Sequence, residues 1–369
     1  MHFLIYIAHP AQYHFCKFIV RDLQKRGHII KLVIKSKDIL ENLLQEDGVP
    51  YENILPEVRK YKTLGLFLSM LKRDYRLYKI ARKIKPDILL GSDTCVTHVG
   101  WIIRKPCFGI GEDDFKIVKK LDWLMMPFAT GVMAPEVCNL GPFEKKKIAY
   151  NGYMKLAYLH PVVFKPDEEF IRKAKLKTPY CLIRMVKLSA HHDNKMKGLN
   201  RFIVKEIIQK LESKGYQVYI DSEEMLPADL SNYKLHIKKS WMHQMLTFST
   251  IVISDSQSFS VEAAMLGVPS IRYNDFAGKI SVLEELEHKY QLTFGIHTSH
   301  KERLFEKIDE LLSDKELLQT FRKRKDLMLE EKINVCEFFV WFIDSFPESL
   351  KKVKSHVVNN QFMTDVVSL

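Results

Sequence analysis

The stretch 251–272, IVISDSQSFSVEAAMLGVPSIR, constrains the fold more than any other part of the chain. Ile251, Val252 and Ile253 are consecutive β-branched residues, the mark of a short buried strand. Ser254, Asp255, Ser256, Gln257 and Ser258 then supply a turn and the side chains that cap a helix. Val261, Ala263, Ala264 and Leu266 offer an apolar helical face that stops at Gly267, with Pro269 just beyond. Residues 270–273 read as a second strand. In such a strand–turn–helix–strand unit the first N–H groups of the helix have no partner inside it. The helix dipole also places positive charge there, so a serine-lined entrance suits a phosphate. Glu262 lies about two turns in, where its carboxylate can accept hydrogen bonds from ribose hydroxyls. An ordinary, well-capped parallel-sheet unit fits the same residues.

The chain opens in the same way. Residues 3–8 read as a strand, 9–14 (HPAQYH) as a loop, 15–26 as a helix ended by Gly27, and 28–35 as a second strand. A β–α–β crossover of this length is right-handed and implies a parallel sheet. Further strands are expected at 51–55, 86–90, 107–110, 124–126, 131–134 and 147–150, with helices at 38–46, 64–84 and 96–104. Pro161, Pro166 and Pro179 mark 161–179 as a linker closing a first domain, 1–160. A second alternating set, 180–334, has strands at 180–185, 217–220, 235–238, 251–253, 270–273 and 292–296. Its helices are expected at 199–214, 242–248, 300–313 and 314–332. The aromatic helix 337–346 (EFFVWFIDSF) within 335–369 is expected to cross back to the first domain. A chain of 369 residues has room for two such cores. The expected fold is therefore α/β, with two Rossmann-like parallel-sheet domains facing a central cleft. Ligands of such sheets bind outside the carboxyl ends of the strands.

Charge singles out the first domain. Of a net +12, residues 1–160 carry +10, and 57–85 alone carry ten bases against two acids. Leu64, Leu68, Leu71, Tyr75 and Tyr78 recur at helical spacing among Lys72, Arg73, Arg76, Lys79, Arg82 and Lys83. Such a helix suits an anionic membrane surface, and equally a helix packed on the sheet with a solvated basic face. No aromatic-interleaved basic motif points to nucleic acid. No apolar run reaches membrane-spanning length, and MHFLIYIAHP reads as a first strand, not a signal peptide. The expected location is cytoplasmic, peripheral on the inner face of the plasma membrane if the basic helix binds lipid. Six scattered cysteines suggest buried thiols, not a zinc site or disulfides.

Several stretches together resemble the GT-B glycosyltransferases and their relatives, the non-hydrolysing UDP-N-acetylglucosamine 2-epimerases. They are HPAQYHF (9–15), NGYMKLAYLHP (151–161), AHHD (190–193) followed by Lys197 and Gly198, ISDSQSFSVEAAMLGVPSI (253–271) and the aromatic helix. From His2 to about Phe346 the chain more closely resembles the bacterial and archaeal family called domain of unknown function 354. The resemblance implies that Ser256 and Ser258 lie at a nucleotide diphosphate and Glu262 at the ribose. The epimerases usually have two glycines where Gln257 and Ser258 stand. Side chains there hinder the same close backbone approach, while the serine hydroxyls can donate hydrogen bonds instead.

In this architecture Arg184, Lys187, His191, His192 and Asp193 follow the first strand of the second domain, where cations can neutralise a leaving diphosphate. His-His-Asp as a metal set is disfavoured, because adjacent histidines diverge and no third one has chelate spacing. His243 and Asp275 are weaker candidates for the nucleotide sugar, and Trp241 either stacks on a base or is core. His9, His14, Asp113 and Asp114 are the candidate proton acceptors, with helix capping the plain alternative for His9. The reading is a metal-independent hexosyltransferase with no resident cofactor. It would move a sugar from a nucleotide donor, UDP-linked by expectation, to a polysaccharide or lipid-linked acceptor of the cell envelope. The alternatives are a 2-epimerase-like enzyme and a non-catalytic nucleotide-sugar-binding protein.

Overall fold

The computed structural model describes residues 1–36, 39–55, 64–186, 197–353 and 357–367. Two parallel sheets carry the chain. The first contains β1 (His2–Ile7), β2 (Ile29–Lys35), β3 (Glu52–Leu55), β4 (Ile88–Gly91), β5 (Cys107–Ile110), β6 (Gly131–Pro135) and β7 (Lys147–Tyr150). Its order is β3-β2-β1-β4-β5-β6-β7, so the direction of winding reverses between β1 and β4. The second contains β8 (Tyr180–Met185), β9 (Gln217–Ser222), β10 (Val252–Ser254), β11 (Ser270–Tyr273) and β12 (Thr293–Ile296). Its order is β12-β11-β10-β8-β9, and it reverses between β8 and β10. Runs such as Phe3–Ile7 and Tyr180–Ile183 are buried on both faces, which is why they are continuously apolar instead of alternating.

The chain forms two units, Met1–Tyr158 with Lys332–Leu369, and Leu159–Glu331. In the first, helices α1 (Pro10–Lys25) and α2 (Leu40–Glu46) serve the strands wound one way from β1. Helices α3 (Leu64–Ile84), α4 (Thr94–Ile102) and α5 (Phe115–Met125) serve those wound the other way, and α4 packs beside both α3 and α5. Right-handed crossovers put these two sets on opposite faces. The aromatic helix, Val335–Asp344, packs on α1 within the first unit. Phe339 meets Phe15 edge-on at 4.8 Å, Phe342 meets Phe108 at 5.2 Å, and Phe338 lies 5.4 Å from Tyr150. These phenylalanines are buried, and each stabilises the unit by about 1.5–3 kcal/mol.

Two expected strands are corrected. Residues 124–126 are not a strand. Leu124 and Met125 end α5 and Met126 begins a short 3-10 turn, because Leu121, Leu124 and Met125 share a helical spacing that a three-residue apolar run conceals. Residues 235–238 form no strand; Leu235 N–H donates to the Ile220 carbonyl, and one bridge, Lys234 to Ile220, is all the pairing there. The segment 161–179 packs onto the second unit: Phe170 is buried and stacked on Phe248 at 6.0 Å, and Asp167 N–H donates to Gln244. The helix Ser281–His288, between β11 and β12, was not anticipated.

Candidate functional site: the carboxyl ends of the two sheets

In the second unit the reversal between β8 and β10 is spanned by Asp255. Its Oδ1 accepts from Val186 N–H at 2.8 Å, and its Oδ2 from Leu199 N–H at 3.2 Å. Its carbonyl accepts from Asn274 Nδ2 at 2.8 Å. Burial pushes the Asp255 carboxyl up to about 7, with the N–H donors pulling the other way. Asp275 holds the same stem through Lys197, whose N–H donates to Oδ2 at 2.9 Å. Although burial pushes the Asp275 carboxyl up, the Thr298 hydroxyl and the Lys197 N–H hold it below the ordinary carboxylate range. Lys187, His191, His192 and Asp193 fall between these stems, outside the described residues.

Directly after Asp255 comes the helix Gln257–Leu266. Ser256 is its N-cap: Oγ accepts from Phe259 N–H at 3.3 Å, while its own N–H donates to Ser254 Oγ at 2.8 Å. The helix ends at Gly267 with φ +70°, a left-handed conformation that favours glycine. Gln257 and Ser258 occupy its first two positions, where N–H groups cannot pair inside a helix, and both are half-buried. One and a half turns on, Glu262 directs Oε1 to within 3.5 Å of His243 Nε2, and both side chains are nearly buried. Phe164 meets the His243 ring edge-on at 6.3 Å. The fold thus groups Ser256, Ser258, Glu262 and His243 at one end of one sheet.

Arg184 is engaged elsewhere. Its guanidinium pairs with Asp221 and with Glu223 at 2.7 Å, and Lys239 joins Asp221 at 2.8 Å. Trp241 packs edge-on against Phe170 at 5.8 Å, within the core cluster of this unit.

In the first unit His9 caps α1. Its Nδ1 accepts from Ala11 N–H at 3.2 Å, an arrangement that places the ring proton on Nε2. The ring in that state offers a donor, and serving as a base would cost the cap. His14 sits farther along α1 with its ring 5.6 Å from Tyr158. Asp114 is buried at the N-cap position of α5, where Oδ1 accepts from Asn139 N–H at 2.8 Å and pins the loop after β6. Asp113 is exposed.

Three features of these sheet ends are not legible as sites in the sequence. The buried Lys155 pairs with Glu112 in the loop after β5; a lone lysine within YMKLAYL was the available signal. Asp93, after β4, is enclosed by Arg73 of α3 and by Lys35, 3.5 Å away at the end of β2. Burial pushes its carboxyl up, but Arg73 and Lys35 outweigh this and hold it below the usual range. The third is Asp255, which in the sequence reads only as a turn residue.

Among the described residues no three His, Cys, Asp or Glu side chains converge to hold a metal ion, and no helix is long and apolar enough to cross a membrane. All six cysteines are free and buried.

No protein-family model matches the chain, and no curated protein matches it in sequence. Solved structures match its fold. S. aureus MnaA in its complex with UDP superimposes with a TM-score of 0.67 at 12% identity, over 96% of this chain and 98% of that one. The UDP-GlcNAc 2-epimerase from Neisseria meningitidis bound to UDP-GlcNAc gives 0.64 at 12%, over 89% and 99%. A glycosyltransferase from Streptomyces sp. SF2575 gives 0.57 at 13%, over 94% and 100%. The chain has the GT-B architecture of two Rossmann-like parallel-sheet domains, shared with UDP-sugar epimerases and glycosyltransferases.

Proposed function

We propose that this protein is an enzyme of nucleotide-sugar chemistry that binds a UDP-linked sugar at the second sheet. The supporting observation is the serine-capped helix start at the β8/β10 reversal, with Glu262 paired to His243 behind it. The N–H groups of Gln257 and Ser258 and the hydroxyls of Ser256 and Ser258 would take the diphosphate, aided by the positive end of the helix dipole. Glu262 would accept hydrogen bonds from the ribose hydroxyls, with His243 fixing its direction. Asp255 and Asp275 would set the stems of the segment carrying Lys187 and His192, whose charge would add to that of the helix. Arg184 would join them only by exchanging a carboxylate for a phosphate oxygen. In the first unit His9 would donate through Nε2, His14 or Asp113 would accept a proton, and Asp114 would hold its loop in place.

The reaction favoured by the structural likenesses is epimerisation at the second carbon of the sugar. It needs proton-transfer groups on both sides of that carbon and no acceptor. Inverting a C–H centre in this way removes one proton and returns another, so deuterium from heavy water should enter the product. Incubation with UDP-N-acetylglucosamine alone tests it: a labelled isomer is expected. Turnover only on adding a glycan or lipid-linked acceptor would move the reading to hexosyl transfer. That second reading is favoured by the exposed basic and apolar face of α3, α4 and α5. The absence of both turnover and UDP-dependent thermal stabilisation would overturn both readings.

A further inference from the structure

We propose that the layer formed by α3, α4 and α5 is a docking face for an anionic phospholipid bilayer. Nine of the seventeen exposed large apolar side chains of the described chain lie on these three helices, so the layer is a concentrated patch. Phe67, Leu71 and Tyr75 recur every fourth residue along α3, Trp101 and Ile102 end α4, and Leu124 lies in the last turn of α5. Tyr75 and Trp101 are 61% and 63% exposed. His98 of α4 joins the three helices, with Nδ1 2.8 Å from Asp74 Oδ2 on α3 and Nε2 2.8 Å from the Leu124 carbonyl on α5. Tyr75 follows Asp74 in the chain and Trp101 lies one turn from His98, so each exposed ring stands within a turn of that junction.

The charge of that surface identifies its occupant. Among the described side chains of 64–125, nine lysines and arginines are exposed, Lys72, Lys79, Arg104 and Lys119 among them, against one exposed carboxylate, Asp113. Lys79 lies over the Tyr75 ring at 5.2 Å, which places base and ring side by side. Aromatic rings with long basic side chains at their margins match the headgroup boundary of an anionic bilayer, where rings enter the interface and cations meet phosphates. A second copy docked through this face would set like charges against each other, and lysines are depleted from the cores of protein–protein interfaces. The proposal concerns the first unit alone and holds for either reaction.

The test is co-sedimentation of the full chain with vesicles of phosphatidylcholine, and of phosphatidylcholine mixed with phosphatidylglycerol. Pelleting with the anionic vesicles is expected, weakened by salt, with a blue shift of tryptophan emission. A Leu71→Ser/Trp101→Ser variant should partition about tenfold less. A Lys79→Glu/Lys119→Glu variant should lose the preference for anionic lipid. Both should melt with the wild type because the sites are exposed; if the first melts early, Tyr75→Ser replaces it. Failure to pellet with anionic vesicles, or equal pelleting of wild type and variants, would overturn the proposal. So would a dimer that Leu71→Ser disperses in a chain that ignores vesicles, which would assign the face to a second copy.

Discussion

Each unit of this molecule reverses its sheet once, and the two reversal points are built with opposite electrostatics. At the first, Asp93 is enclosed by Arg73 and Lys35, and its charge is answered within the protein. At the second, Asp255 is just as buried but meets backbone N–H groups at its carboxylate oxygens, and its carboxyl is driven up to about 7. The next residue opens a helix whose first N–H groups lack internal partners. The comparison teaches that two topological switch points of one fold can satisfy a buried carboxylate in different ways, one with side-chain cations and one with backbone N–H groups. At one reversal the buried carboxylate is answered by cations, and at the other the serine-capped helix that follows it has first N–H groups without partners inside the helix.

The largest expected effect breaks the cation-paired side. Arg73→Met leaves Asp93 buried with a single distant cation, and should lower stability by about 3–5 kcal/mol, read from urea unfolding. Asp93→Asn in the same background should restore much of the loss. Next comes the serine-capped side. UDP at a hundred times its dissociation constant should stabilise the wild type by about 2.7 kcal/mol, and Glu262→Ala should remove most of that shift while leaving the unliganded melting curve close to wild type. Calorimetry with UDP would sharpen the result.

Third, Asp255→Asn replaces one acceptor with an amide facing an N–H donor, and should cost about 1–3 kcal/mol at pH 4–5. The pH dependence follows from the signs. The folded-state carboxyl of Asp255 lies above its unfolded value, so its stabilisation is complete below about 4 and is lost as pH rises toward 7. Asp93 is held low, so its contribution is present at neutral pH and lost on acidification. The gap between wild type and Asp255→Asn should therefore narrow from pH 4 to pH 7, as thermal melts across that range would show. Smallest is Ser256→Ala, which removes the cap on Phe259 N–H and should cost about 1 kcal/mol in the same melts.

What the sequence disclosed divides along the same lines. The helix Leu64–Ile84 was readable to both ends, and the helix Gln257–Leu266 followed from its serine entrance and glycine stop, because capping and periodicity act between near neighbours. Glu262 could be named from its distance along that helix. Its pairing with His243 could not, because the two come together only when separate helices pack. Arg184 was named for its charge and position, but the carboxylates that engage it arrive on β9 and just after it, Asp221 and Glu223. For His9 the sequence leaves base and cap both open, and one hydrogen bond from Ala11 assigns the cap. Lys155 and Asp93 went unread because burial of a charge is a tertiary property, visible only once partners such as Glu112 and Arg73 are in place.

The central claim is that the second reversal point, not the first, receives the nucleotide. Amide hydrogen exchange of the full chain with and without UDP measures this directly. The account predicts slowed exchange at Ser256, Gln257 and Ser258 and no change around Asp93. Slowing around Asp93 with none at the serine-capped helix would contradict it.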